Sequence, residues 1–181
     1  MDNFEVRFSG SGGQGLLLSA KLLAAALVAE GYNVAQSQSY EPVSRGGQSR
    51  ADLVVSRGAA PAFPLSHHLD YLLILHQAAA QASDALMGPQ TLVMIDSALV
   101  PTPPKGEFTL LALPFTETAR QIGNKRVANI VALSALVARS GMCPPEALGE
   151  IIAAKTPPKF ASLNKEAFAA GVEMASVPAA L

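Results

Sequence analysis

Apolar and polar positions alternate along Phe4-Glu5-Val6-Arg7-Phe8-Ser9, the two-residue period of a strand with one face toward a core. From Leu16 to Gly31 the pattern changes. LLLSAKLLAAALVAEG is almost continuously apolar, rich in Ala and Leu, and ends in Gly, which predicts a buried helix with a C-terminal stop. Between strand and helix lies GSGGQG, Gly10 to Gly15. Further apolar runs predict strands at Asn33–Ser37, Ala51–Ser56, Asp70–Leu75, Thr91–Ile95 and Phe108–Leu113. Helices are predicted at Gln77–Leu86, Thr116–Ile122, Arg126–Ser140, Pro145–Ala154 and Ser162–Ala175, the last two joined by Lys155-Thr156-Pro157-Pro158.

Strands alternating with helices predict an α/β fold: a Rossmann-like open, mostly parallel sheet with helices on both faces and a C-terminal helical pair. The 181 residues show no internal repeat, and Pro101-Thr102-Pro103-Pro104 is too short to divide them, so a single domain over 1–181 is expected. GSGGQG falls where a strand turns into a helix, the context that gives a G-x-G-x-x-G pattern meaning. Its glycines free backbone donors at a helix N-terminus for an approaching anion, with Gly12 or Gly13 expected at positive φ. A tight turn built only for packing selects the same residues. A P-loop is excluded by Leu16 and Leu17, which stand where Lys and Ser/Thr are required. Bound NAD is disfavoured, because the tip of the second strand, Gln36-Ser37-Gln38, lacks the carboxylate that would hold a ribose.

The stretch from Ser39 to Arg50 reads as a long loop at the same sheet edge as the glycine turn, where doubly wound sheets bind ligands. Gly46-Gly47 allows close backbone approach, and Arg45 and Arg50 offer forked donors for carboxylate or phosphate; solvated arginines are the alternative. His76, after the fourth strand, either titrates at that edge or caps a turn. Asp96-Ser97 reads as a turn or cap rather than an acid–base pair. Lys125 and Arg126 begin a helix, where cations oppose the macrodipole, so they call for an anionic neighbour or solvent.

Composition narrows the function classes. With 13 Lys and Arg against 14 Asp and Glu, the formal net charge of -1 argues against a nucleic-acid binder. Half the residues are apolar and only 15% charged, which suggests surface covered by other protein. No span is long and apolar enough for a membrane, and the first residues lack the pattern of a signal peptide, so a cytoplasmic location is expected. The single cysteine, Cys143, permits neither an internal disulfide nor a four-thiolate cluster, and the histidines show no metal-ligand spacing.

Taken together, GSGGQG opening a long helix, then Tyr40 with Arg45-Gly46-Gly47, then Gly123-Asn124 with Asn129, resembles the gamma subunit of 2-oxoacid:ferredoxin oxidoreductases over nearly the whole chain. Relatives usually carry Gly after the tyrosine and Glu two residues later, where this chain has Glu41 and Val43. The resemblance implies a component, inactive alone, of a complex that oxidatively decarboxylates a 2-oxoacid, passes the acyl group to coenzyme A and reduces ferredoxin. It implies partners: alpha and beta subunits, in some complexes a ferredoxin-like delta subunit, and ferredoxin itself. Thiamine diphosphate, Mg and iron–sulfur clusters would belong to those partners, and coenzyme A would be co-substrate. The implied cofactor-binding residues are Gly10, Gly12, Gly13, Gln14, Gly15, Tyr40, Arg45, Gly46, Gly47, Asn124 and Asn129, with no catalytic residue or metal ligand on this chain. The resemblance leans to 2-oxoglutarate, while pyruvate, branched-chain oxoacids and indolepyruvate stay open. The rival is a stand-alone Rossmann-like module binding a nucleotide or coenzyme A.

Overall fold

The computed structural model describes residues 2–40, 47–61 and 63–176. Its strands are β1 (Asn3–Ser11), β2 (Asn33–Tyr40), β3 (Gln48–Ser56), β4 (Tyr71–Ile74), β5 (Leu92–Asp96) and β6 (Thr109–Leu113). Its α-helices are α1 (Leu16–Ala29), α2 (Phe115–Ile122), α3 (Ala128–Ser140), α4 (Pro145–Lys155) and α5 (Ala161–Met174). The strands make one sheet in the order β2-β3-β1-β4-β5-β6. β1, β4, β5 and β6 are parallel neighbours, whereas β3 runs antiparallel to both β1 and β2.

The reversed strand follows from chain length. A parallel neighbour needs a crossover of about a dozen residues or more, and only residues 41–47 separate β2 from β3. The chain therefore folds back on itself, and β2 becomes the outer strand. β2 also runs three residues past the expected Ser37, and β3 begins at Gln48, so Ser39, Tyr40 and Gln48 to Arg50 of the expected loop are strand.

The five α-helices cover one face, and short 3-10 turns lie on the other. Phe4, Val6 and Phe8 of β1 join Ala51, Leu53 and Val55 of β3, Leu73 of β4 and Met94 of β5 in one apolar cluster with residues of all five α-helices. Across the sheet, Leu72, Ile74, Val93 and Ile95 form a smaller cluster with Leu69, Ala79, Ala80 and Val100. The helix expected over Gln77–Leu86 is instead two single 3-10 turns, Gln77–Ala79 and Asp84–Leu86. Tertiary contacts override local propensity here. The Gln77 amide bonds both ways with the Thr102 backbone at 2.9 Å, and the Ser83 hydroxyl accepts from Arg7 Nη1 at 3.1 Å. Both tie the segment to other elements, out of helical register.

The second face of β1 carries the polar half of its alternation inside the protein: Glu5, Arg7 and Ser9 are 8%, 3% and 2% exposed. Glu5 accepts from the His67 backbone N–H at 2.9 Å, and its own N–H donates to Asp70 at 2.8 Å. Arg7 stands opposite Asp52 in register and donates to it twice, Nε to Oδ1 at 2.8 Å and Nη2 to Oδ2 at 2.7 Å. Such a pair is costly to desolvate and far more costly to break.

Asp52→Ala should therefore destabilise the chain by about 3–5 kcal/mol by leaving a buried guanidinium unpaired. A double Arg7→Met, Asp52→Leu replacement should regain most of that loss, and urea denaturation midpoints of the two variants check both outcomes.

Candidate functional site

The glycine turn is shaped by two left-handed residues, Gly13 at φ 87° and Gly15 at φ 77°, the latter capping α1. Gly12, one of the two positions expected at positive φ, is not among the residues there. Between the two, Gln14 clamps the turn. Its Oε1 accepts from the Ser11 N–H at 2.7 Å, and its Nε2 donates to the Leu75 carbonyl at 2.7 Å, fastening the end of β1 to the end of β4. Asn129, 4% exposed in the first turn of α3, donates from Nδ2 to the Gly15 carbonyl at 3.4 Å. A Cβ at Gly15 would lie 2.5 Å from that same nitrogen, so the position is closed to a side chain by space as well as by backbone.

At the carboxyl ends of β1, β4 and β5 this turn faces the start of α2 and α3 across a cleft of about 270 Å³. Gly13, Gln14 and Asn129 line one side; Asp96, Thr116, Arg120, Lys125 and Arg126 line the rest. The cleft is cationic. Among the described residues Lys125 and Arg126 have no ion pair, and Arg120 reaches only the exposed Glu117 at 3.3 Å, a contact worth little in solvent. Asn124 caps the 3-10 turn Lys125–Val127 by accepting from the Arg126 N–H at 3.0 Å. That cap places both cations at a helix start, so the macrodipole adds to their positive potential.

The one carboxylate among the described lining residues is fully engaged. Asp96 is 1% exposed, accepts from the Ala98 and Leu99 N–H groups on Oδ1, and accepts from the Thr116 N–H and hydroxyl on Oδ2. It fastens the loop after β5 to the start of α2 and has no free lone pair for proton transfer. His76 likewise serves as a cap, its Nδ1 accepting from the Ala78 N–H at 3.2 Å. Burial pushes the Cys143 thiol up to about 11, with Glu30 adding to the rise, so the thiolate form is suppressed at neutral pH. The cleft presents three cations, and no nucleophile–base pair stands among its described lining residues.

The structure brings Gly12, Gly13, Gln14, Gly15, Asn124 and Asn129 to this edge, with Gly10 at the end of β1 beneath them. Gly47 joins them through its carbonyl, which accepts from the Gly12 N–H at 3.2 Å. Tyr40 ends β2 at the same edge, exposed, its hydroxyl donating to Gln38 at 3.4 Å. Arg45 and Gly46 lie outside the described residues. Sequence reasoning missed Arg120 and Thr116. The signal available was the spacing, since Arg120 stands one helix end before the Lys125-Arg126 pair.

Residues 5–174 match the family model described as pyruvate ferredoxin/flavodoxin oxidoreductase. The chain belongs to that family. A 2-oxoglutarate synthase subunit KorC of Archaeoglobus fulgidus is 41% identical over 170 residues, 93% of this chain and 86% of the relative. The gamma subunit of a keto/oxoacid ferredoxin oxidoreductase from Geobacter sulfurreducens is 37% identical, with a TM-score of 0.86 and 97% of each chain covered. The gamma-subunit resemblance drawn from GSGGQG and its companion motifs is thereby borne out. The fold also recurs, at 21% identity and a TM-score of 0.86, in a 2-oxoglutarate:ferredoxin oxidoreductase from Magnetococcus marinus, covering 99% of this chain and 32% of that one.

Within this family member, Gly15→Ala should cost about 1–3 kcal/mol through backbone strain alone, with the Asn129 contact adding to it. Gly12→Ala should be close to neutral, because nothing lies within 4 Å of a Cβ there. Chemical denaturation of the two variants in parallel measures the difference.

Proposed function

We propose that this oxidoreductase-family chain is the gamma subunit of a complex that oxidises 2-oxoglutarate to succinyl-CoA and carbon dioxide and passes two electrons to ferredoxin. The observation that carries the choice of oxoacid is the 41% identity to a 2-oxoglutarate synthase subunit. The chain works as one domain over 1–181 in the cytoplasm, joined to alpha and beta subunits and, where the complex has one, a ferredoxin-like delta subunit; among the described residues no helix is long and apolar enough to cross a membrane.

The donor set supports a division of labour. One cysteine, buried and held as a thiol, does not fit an iron–sulfur cluster. Among the described residues no group of three His, Cys, Asp or Glu side chains is arranged to hold a metal ion. On this reading the clusters, thiamine diphosphate and its Mg belong to the partner subunits. The cationic cleft fits the phosphates of coenzyme A, which accepts the acyl group as a thioester. Arg120, Lys125 and Arg126 would supply charge, and the Gly13 backbone N–H would supply a donor in the turn before α1. Tyr40, Arg45, Gly46 and Gly47 would extend that surface toward the shared active site. Asn124, Asn129 and Gln14 would act on the ligand by positioning the elements that bind it.

The test is 2-oxoglutarate- and coenzyme A-dependent reduction of a viologen dye, run with this chain alone, with the alpha and beta subunits alone, and with all three. The chain alone should be silent, and the alpha–beta pair should gain coenzyme A-dependent turnover when it is added. Turnover by the chain alone, or an alpha–beta pair indifferent to it, contradicts the reading.

A further inference from the structure

Two arginines stand on the sheet face opposite the five α-helices, in different circumstances. The Arg7 guanidinium is consumed by Asp52 and Ser83. Two residues further along β1, Ser9 is in register with Arg50 of β3, which is itself in register with Ser39 of β2. The side chain of Arg50 therefore has hydroxyl residues on both sides and no carboxylate in its row.

Ser9, Arg50, Ser39, Gln48 and Ser83 line a cleft of about 200 Å³ beneath Ala79 and Ala82. Gln48 Nε2 donates to the Ala78 carbonyl at 2.6 Å and holds the 3-10 turn over it. Among the described residues no Asp or Glu lines this cleft, and Arg50 has no ion pair. Ser9, at 2% exposure, has no hydrogen-bond partner for its hydroxyl among the described residues, yet that oxygen is not among the sealed, orphaned ones. A buried hydroxyl that opens only onto a cleft carries a desolvation cost unless something in the cleft bonds to it. A forked cation with hydroxyls beside it is a donor set for oxygen anions.

We propose that this cleft is a second anion site, distinct from the cationic cleft beside the glycine turn, and that it binds a small oxyanion, a carboxylate or a phosphate, through Arg50, Ser9 and Ser39. Its volume leaves room for a short carboxylic acid or inorganic phosphate. The site stands on this chain's own residues and is independent of which oxoacid the complex consumes.

The full chain, isotopically labelled, is titrated separately with sodium phosphate and sodium succinate while amide NMR shifts are followed. The expected result is saturable shifts at Ser9, Ser39, Arg50 and Ser83 with a dissociation constant of about 1 mM or tighter for at least one of the two anions. Which anion responds distinguishes a phosphate from a carboxylate ligand. Arg50→Gln should weaken that response about tenfold or more, and Arg50→Lys should retain part of it. A dispersed spectrum establishes that each variant is folded, and should Arg50→Gln not fold, Ser9→Ala takes its place with the same expected weakening. The proposal is overturned if neither anion moves these four amides saturably, or if the folded variants respond like the parent.

Discussion

Everything at the working edge of this protein depends on a chain reversal that only glycine can make. At Gly15 the backbone takes a left-handed conformation in the one place where Asn129 of α3 packs against it. The constraint works in both directions. The missing side chain lets Asn129 reach the Gly15 carbonyl, and Asn129 in turn fixes where α3 begins relative to α1. Gln14, one residue earlier, fastens the same turn to the end of β4. Three elements distant in sequence are held together by two side-chain amides, and the cationic cleft is the space they leave.

Charge placement follows from that framework. Asn124 caps the 3-10 turn that carries Lys125 and Arg126, so the two cations sit at a helix start whose dipole opposes them. Asp96, the carboxylate that would neutralise them, is turned inward and spends its oxygens on Thr116 and the loop after β5. The result is a site of positive potential, which favours an anion on electrostatic grounds. On the far side of the sheet the same principle separates Arg7, neutralised by Asp52, from Arg50, which has no ion pair among the described residues.

Much of this was legible in the sequence. The period-two run in β1, the apolar block of α1 and the glycines between them announced a strand–turn–helix unit and its edge of the sheet. The shared motifs at Tyr40, Gly47, Asn124 and Asn129 pointed to the family that the comparisons establish. Less legible was the direction of β3, because periodicity reports a strand and not its sense; the seven-residue connection 41–47 held that information instead. The helix expected over Gln77–Leu86 failed for a different reason, since Ser83 and Gln77 are claimed by contacts from Arg7 and Thr102 that no local pattern records. Arg120 escaped notice because its place in the cleft comes from the packing of α2 against α3.

The claim that this edge receives coenzyme A in the assembled enzyme is tested most directly by amide hydrogen exchange on the complete complex, with and without saturating coenzyme A. The account predicts slower exchange over residues 12–18 and 124–129 when coenzyme A is bound. Unchanged exchange in both segments, in a complex whose turnover requires coenzyme A, would contradict it.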